Sequence, residues 1–124
     1  MSNRIDVKKT YKLFINGSFP RSESGRTYEV KSSKGAFLAN PCLASRKDLR
    51  EAVVAARAAH NGWNKATAYN RGQILYRIAE MLQARTGEFI QEIMMTTGVT
   101  KVKAEKEVLQ AIDTLVWYAG WSDK

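Results

Sequence analysis

Cys42 and His60 are the single cysteine and the single histidine of the 124-residue sequence. A Cys–His nucleophile pair or a zinc site would need both, with further ligands or an orienting group beside them. Cys42 stands in ANPCLA, where only the helix expected to start near Ser45 is at hand to lower its pKa. The role of a small buried apolar residue suits it better. His60 falls at the end of a helical pattern, and the negative end of the helix dipole accounts for it there. The carboxylate pairs Glu105/Glu107 and Glu88/Glu92 lie among lysines and polar residues. Acid–base work needs a perturbed pKa in a pocket, which a solvated helix face does not supply. The glycines are scattered, with no G-x-G-x-x-G, P-loop or G-x-S-x-G spacing. No catalytic residue, cofactor-binding residue or metal ligand is therefore expected.

The elements that would position any site begin with Tyr11 to Ile15, which alternates with a two-residue period. Asn16-Gly17 predicts a tight hairpin turn, and Pro20 marks an edge or a stop. Ser22-Glu23-Ser24-Gly25 is a turn by composition. Thr27–Lys31 and Ala36–Ala39 are two further β-prone runs. Residues 1–10 have no period and predict a flexible leading segment.

Ser45-Arg46-Lys47-Asp48 has the spacing of a capping box. Leu49, Ala52, Val53, Ala56 and Ala59 then make an alanine-rich stripe, with Asn61-Gly62 as a left-handed stop. A second helix is expected from about Thr67 to Arg85, with Ile74, Ile78 and Leu82 in one row, Leu75 and Ala79 beside it, and Arg71 outside. Thr86 is a candidate cap for a third helix, which carries Phe89, Ile90, Ile93 and Met94 and ends at Gly98. In the last helix Ala104, Val108, Ala111, Ile112, Leu115, Tyr118 and Ala119 recur at three- and four-residue steps. Trp117 and Trp121 share a second face, so this helix is expected to be covered on more than one side. The fold class is mainly α: an N-terminal β-hairpin or meander over 11–43, then about four helices over 45–124.

The formal charge is +8 and uneven. Residues 1–62 hold twelve Lys/Arg against five Asp/Glu, and residues 63–124 hold eight against seven. Such a surface can attract acidic partners or nucleic acid, but a solvated face is the more ordinary explanation and nucleic acid is not the expected partner. The aromatics are not interleaved with arginines in sequence, and no basic reading helix follows the Arg85–Glu88 break. No apolar run is long enough to span a membrane, and no signal peptide is evident. With one cysteine, these features fit a cytoplasmic chain.

KLFINGSFPRSESGRTYEV, GAFLAN, ASRKDLREAVVAARAA with NGW, AYNRGQILYRIAEMLQAR with EFI, and AEKEV with AIDTLVWYAGWSDK follow one another in a fixed order. In that order and spacing the chain resembles the N-terminal segment of the NAD(P)-dependent aldehyde dehydrogenase superfamily, over about residues 11–124. Gly98-Val99 is a departure, since many members have glycine-lysine there. The resemblance implies longer enzymes, in which a Rossmann-like cofactor domain and a catalytic domain follow WYAGWSDK. The catalytic cysteine, the glutamate base and the oxyanion-site asparagine would come from that later part, and Cys42 does not match the nucleophile motif.

The resemblance also implies that the last helix helps to wall a substrate tunnel. By position Lys106 and Gln110 could face that tunnel, one turn apart, or be plain solvent-exposed residues. A truncated aldehyde dehydrogenase segment is thus expected, inactive alone and structural in role. NAD(P) would belong to the full-length enzymes and not to this chain. Its partners would be further copies of itself or a complementary catalytic portion. The alternative is a basic interaction module for an acidic partner or nucleic acid.

Overall fold

The computed structural model describes residues 8–124 and divides into two compact units, one ending at Ala59 and one running from His60 to Lys124. Residues 1–7, most of the expected leading segment, lie outside the described residues.

The first unit holds a three-stranded sheet of β1 (Thr10–Tyr11), β2 (Val30–Lys31) and β3 (Phe37–Pro41), in the order β1-β3-β2. β2 and β3 form the expected hairpin, with Val30 opposite Ala39 and an irregularity before the Lys31–Phe37 pair. β1 departs from a simple meander, because it joins β3 in parallel, with Thr10 opposite Asn40 and Tyr11 opposite Pro41. The Asn16-Gly17 turn is present, with φ of 53° and 72°. Ile15 and Ser18 exchange both backbone hydrogen bonds across it, at 3.0 and 3.1 Å. The Leu13 N–H then donates to the Pro20 carbonyl at 2.9 Å, and Pro20 has no N–H to return. The ladder therefore stops one pair beyond the turn, and the run expected as one strand over 11–15 is split between two partners.

Helix α1 (Arg46–Lys65) starts with the expected capping box. The Ser45 Oγ accepts from the Asp48 N–H at 3.2 Å, and Asp48 Oδ2 accepts from the Ser45 N–H at 2.8 Å. The expected stop at Asn61-Gly62 is not used, and the helix runs through it to Lys65. Gly62 is absent from the glycines with positive φ, and its carbonyl still accepts from the Ala66 N–H. The turn that follows is closed from the next helix. The half-buried Arg71 guanidinium donates to the Asn64 and Ala66 carbonyls, placing a cation at the negative end of the dipole. Arg71 is thus not an outward-facing residue. His60 lies one turn inside the helix end, with a ring nitrogen 3.2 Å from the Asn64 amide nitrogen.

Helices α2 (Ala68–Ala84), α3 (Thr86–Thr97) and α4 (Lys101–Trp121) complete the second unit. Thr67 and Thr100 cap α2 and α4, accepting from the Asn70 and Lys103 N–H groups. Thr86 does not cap α3. Its hydroxyl turns back and donates to the Gln83 carbonyl at 2.7 Å, satisfying an orphan acceptor at the end of α2. α3 ends at Gly98, whose φ of 74° lets its N–H reach the Met94 carbonyl at 2.9 Å. A Gly98→Ala variant should therefore lose about 1 kcal/mol, the cost of a left-handed non-glycine residue, read as a lower midpoint in urea unfolding.

The core of this unit is small. Ala104, Val108 and Ile112 of α4 are buried against Ala79 of α2 and Ile90 of α3. Leu82, Ile93, Met94, Val99 and Leu115 pack around them. Of the stripe expected on α4, Ala111 and Tyr118 are exposed. The row expected on α2 is split: Leu75, Ala79 and Leu82 turn inward, while Ile74 and Ile78 remain nearly half exposed.

Candidate functional site

Lys106 and Gln110 are one turn apart on α4, and both are exposed. They line one open groove with Val102, Glu105, Leu109 and Asp113. All six belong to α4 and lie off the buried stripe of Ala104, Val108 and Ile112. The helix therefore presents a second apolar row, Val102, Leu109 and Val116, at seven-residue spacing. Trp117 and Trp121 follow with ring centroids 5.1 Å apart, each at least half exposed.

A second groove, of about 490 Å³, runs between α2 and the end of α4. Tyr69, Gly72, Tyr76, Val116 and Ser122 are among its lining residues. Its size is that of a small-molecule site, but it is open to solvent.

Cys42 is half-buried just after β3, its N–H bonded to the Tyr11 carbonyl at 3.0 Å, with a backbone bridge to Thr27. The side chain of His60 meets Asn64. Glu88 pairs with Arg85 on the surface, 3.3 Å apart. Among the described residues no three His, Cys, Asp or Glu side chains cluster as metal ligands would.

The polar cluster that the sequence did not announce lies in the first unit, around Asp48. Asp48 and Ser22 are its two buried polar residues among those described. The Ser22 hydroxyl donates to Asp48 Oδ2 at 2.6 Å, and the Glu23 N–H donates to Oδ1 at 3.3 Å. Ser45 closes the ring by donating its hydroxyl to Glu23 at 3.0 Å. The capping-box spacing signalled Asp48, but nothing local to Ser22 signals a partner 26 residues away. The Ser22 hydroxyl and then the Ser45 N–H hold the Asp48 carboxyl down from 3.8 to about 2, against the opposing effect of burial. The cluster ties the 22–25 turn to the start of α1, which is structural work and not catalysis.

A pH dependence follows from that depressed pKa. The contribution of Asp48 to stability is fully present above its unfolded pKa of 3.8 and is lost as pH falls through about 2. Thermal melts between pH 5 and pH 2 should show a fall in midpoint in the wild type. An Asp48→Asn variant should start lower at pH 5 and fall less.

The comparisons with known proteins agree on one family. Residues 19–124 match the model of the aldehyde dehydrogenase family. The cytosolic 10-formyltetrahydrofolate dehydrogenase of Xenopus tropicalis is 36% identical over 126 residues, covering 98% of this chain and 14% of that protein. The 2-hydroxymuconic semialdehyde dehydrogenase of Pseudomonas sp. (strain CF600) is 42% identical over 95 residues, covering 75% of this chain and 20% of that one. Among solved structures, the aldehyde dehydrogenase of Bacillus cereus, as a G224D mutant, superposes with a TM-score of 0.87 at 27% identity. That match covers 94% of this chain and 26% of that chain. PnpE in complex with nicotinamide adenine dinucleotide gives 0.88 at 25% identity, with 91% and 24% covered. The chain thus spans about a seventh of the length of the first relatives it matches. A small mixed sheet followed by four helices among the described residues, and a family match over residues 19–124, make this chain a member of the aldehyde dehydrogenase family, corresponding to its N-terminal segment.

Proposed function

We propose that the chain serves as the structural segment of an aldehyde dehydrogenase, docking on a cofactor-binding and catalytic portion and turning over no aldehyde by itself. The observation that carries this reading is the pair of unpartnered apolar faces in the second unit. Ile74, Ile78 and Met81 of α2 are 46–61% exposed, and Val102, Leu109, Val116, Trp117 and Trp121 of α4 are 39–75% exposed. Apolar rows at helical spacing on both sides of a five-residue core are a surface shaped for a further layer.

In this reading the further layer supplies the thiol nucleophile, its base and the NAD(P) site, and Lys106 and Gln110 become part of the wall of the substrate tunnel once it is in place. Without the further layer the chain self-associates through these faces. No described helix is long and apolar enough to cross a membrane.

Purified chain should form no NADH or NADPH from aliphatic or aromatic aldehydes. It should scatter light as an oligomer or bind a hydrophobic dye. Aldehyde-dependent cofactor reduction by the chain alone would overturn the division of labour. A compact monomer that ignores the dye would overturn the docking role.

A further inference from the structure

The sheet of the first unit carries a concentration of charge that the packing of the second unit does not explain. Lys8, Lys9 and Lys12 flank β1, Lys31 is in β2, and Lys34 lies in the turn that joins β2 to β3. All five are exposed. Glu29 is the one carboxylate on this stretch of strands and turn. Three strands are about 10 Å wide, which is close to the Debye length of about 8 Å at physiological salt. An anion approaching the sheet therefore meets several of these lysines within about one Debye length. Among the described residues, all three ion pairs belong to the second unit: Arg77–Glu80, Arg85–Glu88 and Asp123–Lys124.

The fold also does what the sequence order does not: it brings aromatic rings among these cations. Lys9 Nζ lies 4.5 Å from the centroid of Tyr11, and Lys8 Nζ lies 4.6 Å from that of Phe37. Phe37 is also the cross-strand partner of Lys31. Tyr11 is opposite Pro41, so the two rings stand on neighbouring strands, four residues apart along β3. Tyr11 is 44% exposed. Lysines that can pair with phosphates, beside rings on which bases can stack, are the two elements of a single-strand binding surface. An acidic protein would use the lysines and leave the rings without a role.

We infer that the β1-β3-β2 sheet binds single-stranded nucleic acid, with Lys8, Lys9, Lys12, Lys31 and Lys34 on the phosphates and Tyr11 and Phe37 against the bases. The inference is independent of the docking role, which rests on α2 and α4.

The test is fluorescence anisotropy of a labelled twenty-nucleotide oligothymidine with the full chain. Five phosphate contacts give a slope of about −3.5 in log affinity against log salt, or about a hundredfold loss between 50 and 200 mM. Lys9→Glu/Lys31→Glu should weaken binding at least tenfold at 50 mM salt. Lys101→Glu/Lys103→Glu, the same change of charge on α4, should leave it within twofold. Tyr11→Ala should weaken oligothymidine severalfold and heparin not at all. Circular dichroism melts establish that each variant is folded. Absence of binding at 50 mM salt would overturn the inference, as would equal losses in the two lysine pairs. Equal affinity for polyglutamate, or Tyr11→Ala without effect on oligothymidine, would reduce the patch to a general anion surface and overturn it as well.

Discussion

A Val108→Asp variant should have no cooperative thermal transition in its helical unit. Val108 is 3% exposed, and the buried residues clustered with it are Ala79, Ile90, Ala104 and Ile112. None of these offers a hydrogen-bond donor from its side chain. A carboxylate placed there must lose its hydration or take up a proton, and either costs several kcal/mol. The whole stability of a small domain is about 5–10 kcal/mol, and a five-residue core belongs at the low end. Val108→Ala, which removes volume without adding charge, should cost about 2 kcal/mol and keep a sharp transition. Far-UV circular dichroism against temperature at pH 7 separates the three proteins. If Val108→Asp melts like the wild type, the α4 stripe is not the centre of this unit.

That stripe was legible in the sequence because helix burial is periodic. Ala104, Val108, Ile112 and Leu115 repeat at steps that stack on one side, and the side so marked is the one that packs. The Ser45–Asp48 capping box was legible for a related reason: its contacts span three residues, so the sequence window contains both partners, whereas the cap expected at Thr86 turned back to the preceding helix. The family was legible from the order of its motifs. Contacts between distant segments were not legible. Asp48 is recognisable as a cap, but the hydroxyl that lowers its pKa comes from a turn identified by composition alone. β1 pairs in parallel with β3 because the chain returns to it 30 residues later, and no alternation within residues 10–15 records that.

Asn61-Gly62 shows the opposite failure. The local stop signal is present, yet glycine only permits a left-handed turn and does not compel one. The backbone stays helical to Lys65, and Arg71 closes the end further on. Lys106 and Gln110 share a face by their spacing and line one groove on α4.

The second large effect is expected at Gly72, where the sequence shows only a glycine inside a helix. In an exposed helix interior, glycine to alanine gains about 1 kcal/mol from propensity. Gly120 in α4 and Gly62 in α1 have nothing within 4 Å of an added Cβ, so both should gain on replacement by alanine. Gly72 differs because α4 passes directly over it. An added Cβ would stand 3.0 Å from the Ala119 carbonyl oxygen, 3.5 Å from the Ser122 hydroxyl and 3.6 Å from its Cβ. The nearest atom is backbone and cannot rotate away. Alanine sets the propensity gain against this contact, and the two nearly cancel. Valine adds two methyl groups at the same place and forces α2 and α4 apart, at about 2–3 kcal/mol. For a unit of this size that is a fall of about 10–20 °C in the melting midpoint. Gly120→Ala should rise by a few degrees in the same experiment. A Gly72→Val protein as stable as the wild type would show that α2 and α4 do not meet this closely. The groove bounded by Gly72, Tyr76 and Val116 would then be wider in solution than its 490 Å³ indicates.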